Sequence, residues 1–238
     1  MIFYGINPVA EALRARRLLS HVYLAAGKDS PRLRQIMADA QRLKVPVEAV
    51  ADLDRRCGTR EHQGVAAECP ELGIAGLNES PTAPGLVMLD GLQDPQNFGA
   101  ALRVCEVFGY PEVIYHRGNS CGVTPAAIKA SAGAVFHLQL YESNLSRAAI
   151  RLQDWGYSVV VLEADAGQDL FTAELPDKYC LVVGSEGGGV RHVLQRRSDL
   201  QLRIPMRGRV SSLNVSCALA VALAVLSRRL PPVAGVAP

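Results

Sequence analysis

Strand-like runs that are apolar along their whole length, alternating with helical segments, predict an α/β protein whose larger, C-terminal part holds a largely parallel sheet. These runs are LVMLD (86–90), EVIYH (112–116), VFHLQL (135–140), YSVVVLE (157–163), YCLVVG (179–184) and LQLRIP (200–205). The first seventy residues show a shorter alternation of their own, which predicts a small α/β domain in front of the sheet. Between the two, residues 70–85 (PELGIAGLNESPTAPG) carry three prolines and no periodic pattern, as a linker would. The expected division is a domain over 1–70, a linker over 71–84, a second domain over 85–230 and a flexible tail over 231–238.

In chain order, Asn7-Pro8 reads as a helix start, with asparagine as the cap and proline at the first helical position. Val9, Ala12, Leu13 and Arg16 follow at helical spacing. HVYLA (21–25) has strand character, and Ser30-Pro31 opens a second helix in which Leu33, Ile36, Met37, Ala40 and Leu43 share a face. Short strands are expected at 45–50 and 64–68. In the second domain, helices over 97–108, 125–131, 146–155 and 213–229 fill the gaps between strands.

Composition sets outer bounds. With 238 residues, 49% of them hydrophobic and 20% charged, the chain buries a sizeable core and is not a disordered one. A net charge of +2 excludes a polycation, and an aromatic content of 5% speaks against a platform of stacked bases. Yet only four of the 25 basic residues are lysines. Arginine is the residue of planar, bidentate phosphate contacts, although a codon bias yields the same count. The six cysteines include no C-x-x-C pair and no His/Cys spacing of a zinc site, so no metal is expected. The N-terminus lacks the order of a signal peptide, and the longest apolar run, 215–226, is short of the ~20 residues that span a bilayer. The expectation is a cytoplasmic protein with free thiols and no membrane partner.

Ligands of open parallel sheets bind beyond the carboxyl ends of the strands, so three loops carry the functional argument. In LDGLQDPQNFGAALRVCEVFGY (89–110), Arg103 follows Asn97 by six residues, roughly 240° around a helix. The two share a face only if Asn97 is the capping residue. In LVVGSEGGGV (181–190), four glycines permit close backbone approach, but the pattern is neither a dinucleotide fingerprint nor a P-loop. An oxidoreductase reading fails on that ground. Glu186 repels phosphate and suits a cationic ligand or an adenosine. In IPMRGRVSSLNVSCALAVALAVLSRR (204–229), Ser211, Ser212 or Asn214 caps the long helix, and Arg203, Arg207 and Arg209 make a positive patch.

In this order, Asn97…Arg103, GSEGGG (184–189) and IPM…SSLNVS (204–216) resemble the three signature motifs of the SpoU (TrmH-type) RNA 2′-O-ribose methyltransferases of the SPOUT superclass. TPAAIKASAGA (124–134) is similar to a further family stretch. FYGINPVAEAL and HQGVAA (62–67) resemble the small ribosomal-protein-like substrate domain of bacterial 23S rRNA guanosine methyltransferases.

That resemblance implies S-adenosylmethionine held in a trefoil knot, lined by Gly184, Ile204, Met206, Ser212 and Leu213, in a homodimer with the 213–226 helix at the contact. It implies Arg103, Asn97, Glu186, Ser212 and Asn214 as catalytic residues, with Arg103 either a base or a charge that stabilises the forming alkoxide. RNA contacts are expected from Arg14, Arg16, Arg17, Arg32 and Arg34, with Arg55, Arg56 and Arg60 a further basic cluster. The alternatives are a tRNA ribose methyltransferase, a resistance-type rRNA adenosine methyltransferase and, from a different class, a non-catalytic RNA-binding ribosome-assembly factor.

Overall fold

The computed structural model describes residues 1–185, 187–209 and 212–229. Its first part folds as β1 (Ile2–Tyr4), α1 (Ile6–Arg14), β2 (His21–Ala25), α2 (Pro31–Arg42), β3 (Val47–Val50), α3 (Leu53–Cys57) and β4 (Val65–Glu68). The strands form a sheet in the order β1-β4-β2-β3, with β4 antiparallel to both neighbours and β2 parallel to β3. Side chains alternate across it, as a pleated strand requires. Phe3, Val22, Val65 and Ala67 join α1 and α2 on one face, while Tyr4, Tyr23 and Ala66 meet Leu53 of α3 on the other.

The second part runs β5 (Ala75–Gly76), β6 (Gly85–Asp90), α4 (Pro95–Val107), β7 (Glu112–Tyr115), α5 (Pro125–Ala130), β8 (Gln139–Glu142), α6 (Leu145–Asp154), β9 (Ser158–Leu162), β10 (Gln168–Asp169), β11 (Tyr179–Gly184), α7 (His192–Gln195), β12 (Leu200–Arg203) and α8 (Val215–Leu226). Its eight strands are all parallel, in the order β10-β12-β9-β11-β6-β7-β8-β5. Both faces of the central strands β6, β7, β9 and β11 are covered, which is why these read as continuous apolar runs. Leu86, Met88, Val159 and Val182 pack with α6 and α7, and Val87, Leu89, Val160 and Leu181 face α4, α5 and α8.

Four sequence readings need correction. Helix α1 starts one residue before Asn7: Gly5 (φ 106°) is its cap, and the distant Gln63 side chain accepts from Ile6 N at 3.1 Å. VFHLQL is not one strand, because Gly133 (φ 91°) starts a 3-10 turn over Ala134–His137 and the strand begins at Gln139. The segment 71–84 is bolted to the sheet. It supplies edge strand β5, buries Leu77, and is held by the Glu112 carboxylate, which accepts from Ala83 N at 2.7 Å. Helix α4 is capped by Asp94, not Asn97; its carboxylate accepts from Gln96 N and Asn97 N, with Pro95 at the first helical position. The proposed tail, 231–238, lies outside the described residues.

The two parts share one continuous core. Phe3 and Phe136 bring their rings to 5.0 Å, Arg17 Nε donates to Phe136 O at 2.9 Å, and His137 meets Glu11 at 3.0 Å. The segment 124–134 makes this joint: Lys129 Nζ donates to Glu61 O at 3.1 Å, and a side chain at Gly133 would meet Glu11 Cβ at 2.7 Å.

Candidate active site

Strands β6 and β11 end side by side, with Gly184 in register opposite Asp90, so the loops after them open at the same edge of the sheet. Gly184 has no room for a side chain, since a Cβ there would lie 2.0 Å from the Gly189 carbonyl. The missing atom lets the turn fold back on its strand, where Gly189 N donates to Ser185 O at 3.0 Å. Glu163, just past β9, braces that turn: its Oε1 accepts from Val190 N at 2.6 Å and from Gln195 Nε2 at 3.1 Å. Behind it, the buried Asp90 carboxylate accepts from Arg191 N at 2.9 Å and Arg191 Nε at 2.7 Å.

A cleft of about 600 Å³ opens here. All five predicted cofactor residues, Gly184, Ile204, Met206, Ser212 and Leu213, line it, together with Glu163 and Asn214. A second cleft of about 480 Å³ adjoins it, sharing Ser185, Gly189 and Val215, with the charged and amide side chains of Asp90, Gln93, Asp94, Asn97, Asn119 and Arg191 in its wall. Asn97 and Asn214 join across this boundary, Asn214 Nδ2 donating to Asn97 Oδ1 at 2.9 Å. The same Asn214 caps α8, its Oδ1 accepting from Ser216 N at 2.9 Å. One side chain therefore fixes the start of α8 and the start of α4 together.

Of the predicted catalytic residues, Asn97, Ser212 and Asn214 gather at the clefts, and Glu186 lies outside the described residues. Arg103 lines neither cleft. It is exposed on α4, and with Asp94 as the cap the six-residue step leaves it about 120° from Asn97. The side-chain oxygen of Asn97 is instead engaged by Asn214. Among the predicted RNA-contacting residues, Arg14, Arg16, Arg17, Arg32 and Arg34 all belong to exposed positions. Arg14 pairs with Glu11 and Arg34 with Asp29, while Arg17 is spent on the joint described above. Arg56 lies over the Tyr23 ring at 4.1 Å. Sequence reasoning missed Glu163, Asp90 and Arg191 as site residues. Two of them could have been found, because Asp90 and Glu163 end apolar runs, where ligands of such sheets bind. Among the described residues, no group of His, Cys, Asp and Glu is placed to hold a metal, and no helix is long and apolar enough to cross a membrane.

The comparisons agree with this geometry. Residues 84–224 match the model of the SpoU rRNA Methylase family, and residues 2–74 match that for RNA 2′-O ribose methyltransferase substrate binding. The chain is 34% identical to the 23S rRNA (guanosine-2′-O-)-methyltransferase RlmB of Haemophilus ducreyi over 240 residues, covering 95% of this chain and 96% of that one. A crystal structure of an RNA 2′-O ribose methyltransferase superposes with a TM-score of 0.80 at 26% identity, over 96% of this chain and 88% of the other. A SpoU methyltransferase from Streptomyces viridochromogenes, solved in complex with AdoMet, shares the fold with a TM-score of 0.78 at 22% identity, over 96% of this chain and 89% of that one. With both parts of the chain matched, and a relative covered over nearly its whole length, this chain belongs to the SpoU rRNA methylase family.

Proposed function

We propose that this chain is an S-adenosylmethionine-dependent RNA 2′-O-ribose methyltransferase whose target is a guanosine of 23S rRNA. The observation that carries the reading is the pair of adjoining clefts, one sized for a nucleoside with an amino-acid tail and the other walled by Asp94, Asn97, Asn119 and Arg191, joined through Asn97 and Asn214. The first fits S-adenosylmethionine on its own chemistry. Its volume lies within the range of small-molecule sites, its glycine wall offers backbone groups at close range, and Ile204, Met206 and Leu213 give apolar contact for an adenine. When bound, the cofactor supplies an electrophilic methyl group on a sulfonium.

The residues of the chain then have two tasks, to hold the ribose 2′-hydroxyl in line with that methyl and to ease loss of its proton. The Asn97–Asn214 pair stands where the two ligands meet and orients the hydroxyl. Arg103 acts through its charge, since a guanidinium stays protonated and serves poorly as a base. The working unit is a homodimer with the last motifs knotted, in which α4 and α8 meet a second copy; Val107, 64% exposed at the end of α4, gives that contact apolar surface. Arg103, off both clefts of its own chain, is then offered to the cleft of the other copy.

The test is incubation of total RNA with methyl-labelled S-adenosylmethionine, then mapping of ribose methylation. A labelled guanosine is expected. Label in tRNA alone would favour the tRNA enzyme, and label in no RNA would favour the assembly factor. Arg103→Ala should keep cofactor affinity and lose methyl transfer.

A further inference from the structure

Glu163 contributes more than a brace. Among the described lining residues of the cofactor cleft it is the one carboxylate, and no ion pair or hydrogen bond among the described residues reaches its Oε2. Its Oε1 is committed to Val190 N and Gln195 Nε2, which fixes the side chain at the cleft wall. A half-buried carboxylate held in place with no countercharge is an electrostatic preference built into the site, because a fixed charge facing a cleft favours ligands of opposite sign. We infer that Glu163 makes the cleft discriminate by charge between S-adenosylmethionine and the spent cofactor. The inference rests on the cofactor reading above. Methyl transfer turns a cationic sulfonium into a neutral thioether, so the ligand loses one positive charge while its adenosine and amino-acid portions stay the same. Glu163 therefore holds the fresh cofactor more tightly than the product and favours exchange after each turnover.

Glu163→Gln separates this role from the brace. The amide keeps a carbonyl oxygen for Val190 N and nearly the same shape, and it removes only the charge. Calorimetric titration of the full chain would use S-adenosylmethionine, S-adenosylhomocysteine and sinefungin, whose amine restores a positive charge without a transferable methyl. The expected result is a rise of about tenfold in Kd for the two cationic ligands, with S-adenosylhomocysteine changed by less than about twofold. Equal weakening of all three would reduce Glu163 to a structural brace, and no change in any would remove it from the site; either result overturns the inference. If wild type binds none of the three, the cofactor reading falls and this inference with it. Should Glu163→Gln fail to fold, the wild type still decides. Its preference for the cationic ligands over S-adenosylhomocysteine should shrink from low to high salt, and a preference indifferent to salt would refute the charge effect.

Discussion

Replacing Gly184 by alanine tests the construction of the cleft at a single atom. The added carbon would sit 2.0 Å from the carbonyl carbon and oxygen of Gly189 and 2.3 Å from Val190 N, whereas real contacts of this kind stay beyond 3.0 Å. The 187–190 turn must therefore retreat by about 1 Å, and every partner is backbone, so no side chain can swing aside. That retreat stretches the bonds from Gly189 N to Ser185 O and from Val190 N to Glu163 Oε1. Losing two such bonds at ~1 kcal/mol each, with overpacking strain of at least ~1 kcal/mol, gives about 3 kcal/mol. For a chain of this length that is a fall in Tm of about 6–12 °C. Differential scanning calorimetry measures it, and titration with S-adenosylmethionine should show a Kd more than about tenfold higher. Gly99→Ala is the matched control. Its carbon would lie 2.4 Å from Ala127 O at the α4–α5 contact, so it should lower Tm comparably and leave the cofactor Kd within about twofold. A Gly184→Ala protein that melts and binds like wild type would refute the account of the turn.

Four other expectations follow from the same structure. Asp90→Asn keeps an oxygen for Arg191 N but removes the buried charge, and with Arg191 43% exposed the loss should be about 1–3 kcal/mol in urea unfolding; no shift in midpoint would make the pair a spectator. Burial raises the Cys121 thiol to about 11, so at pH 8 its thiolate fraction is about a hundredfold below that of an ordinary thiol. Iodoacetamide followed by mass spectrometry should show Cys121 labelled slowly at pH 8 and gaining rate as pH rises toward 11. Arg16 and Arg32 are exposed and make no ion pair among the described residues, so their double replacement by glutamine should flatten the salt dependence of RNA affinity by about 1.5 in log–log slope. Arg17→Gln should instead lower Tm through the joint at Phe136, and an unchanged Tm there would deny the joint its weight.

The central strands β6, β7, β9 and β11 were legible because they are buried on both faces and each carries its own apolar signal, whereas the two-residue edge strands β5 and β10 carry none. Ser30 and Asn214 were legible as caps because capping is local chemistry, with the accepting side chain two or three residues from its donor. Gly5 was not, since its helix is completed by Gln63, 57 residues away from Ile6. VFHLQL misled for a related reason: Val135 and Phe136 are apolar to fill the joint with the N-terminal domain, and a short apolar run does not reveal which surface it serves. At the clefts, Gly184, Ile204, Met206, Ser212 and Leu213 lie in two contiguous stretches that the family resemblance named together, and they line one cleft. The Asp90–Arg191 pair spans 101 residues, and nothing in either neighbourhood announces the other.

The joint made by residues 124–134 also bears on what can be exchanged between relatives. A boundary at 71–84 invites replacement of the N-terminal domain to redirect the enzyme to another RNA. Yet Arg17, Glu11 and Gly5 are fitted to Phe136, His137 and Lys129 across that boundary, atom against atom. A transplanted domain that lacks those three partners would leave Phe136 O and His137 unpaired, Lys129 misfitted, and the reach from RNA to methyl unset. Specificity in this enzyme travels with both sides of the joint or does not travel at all.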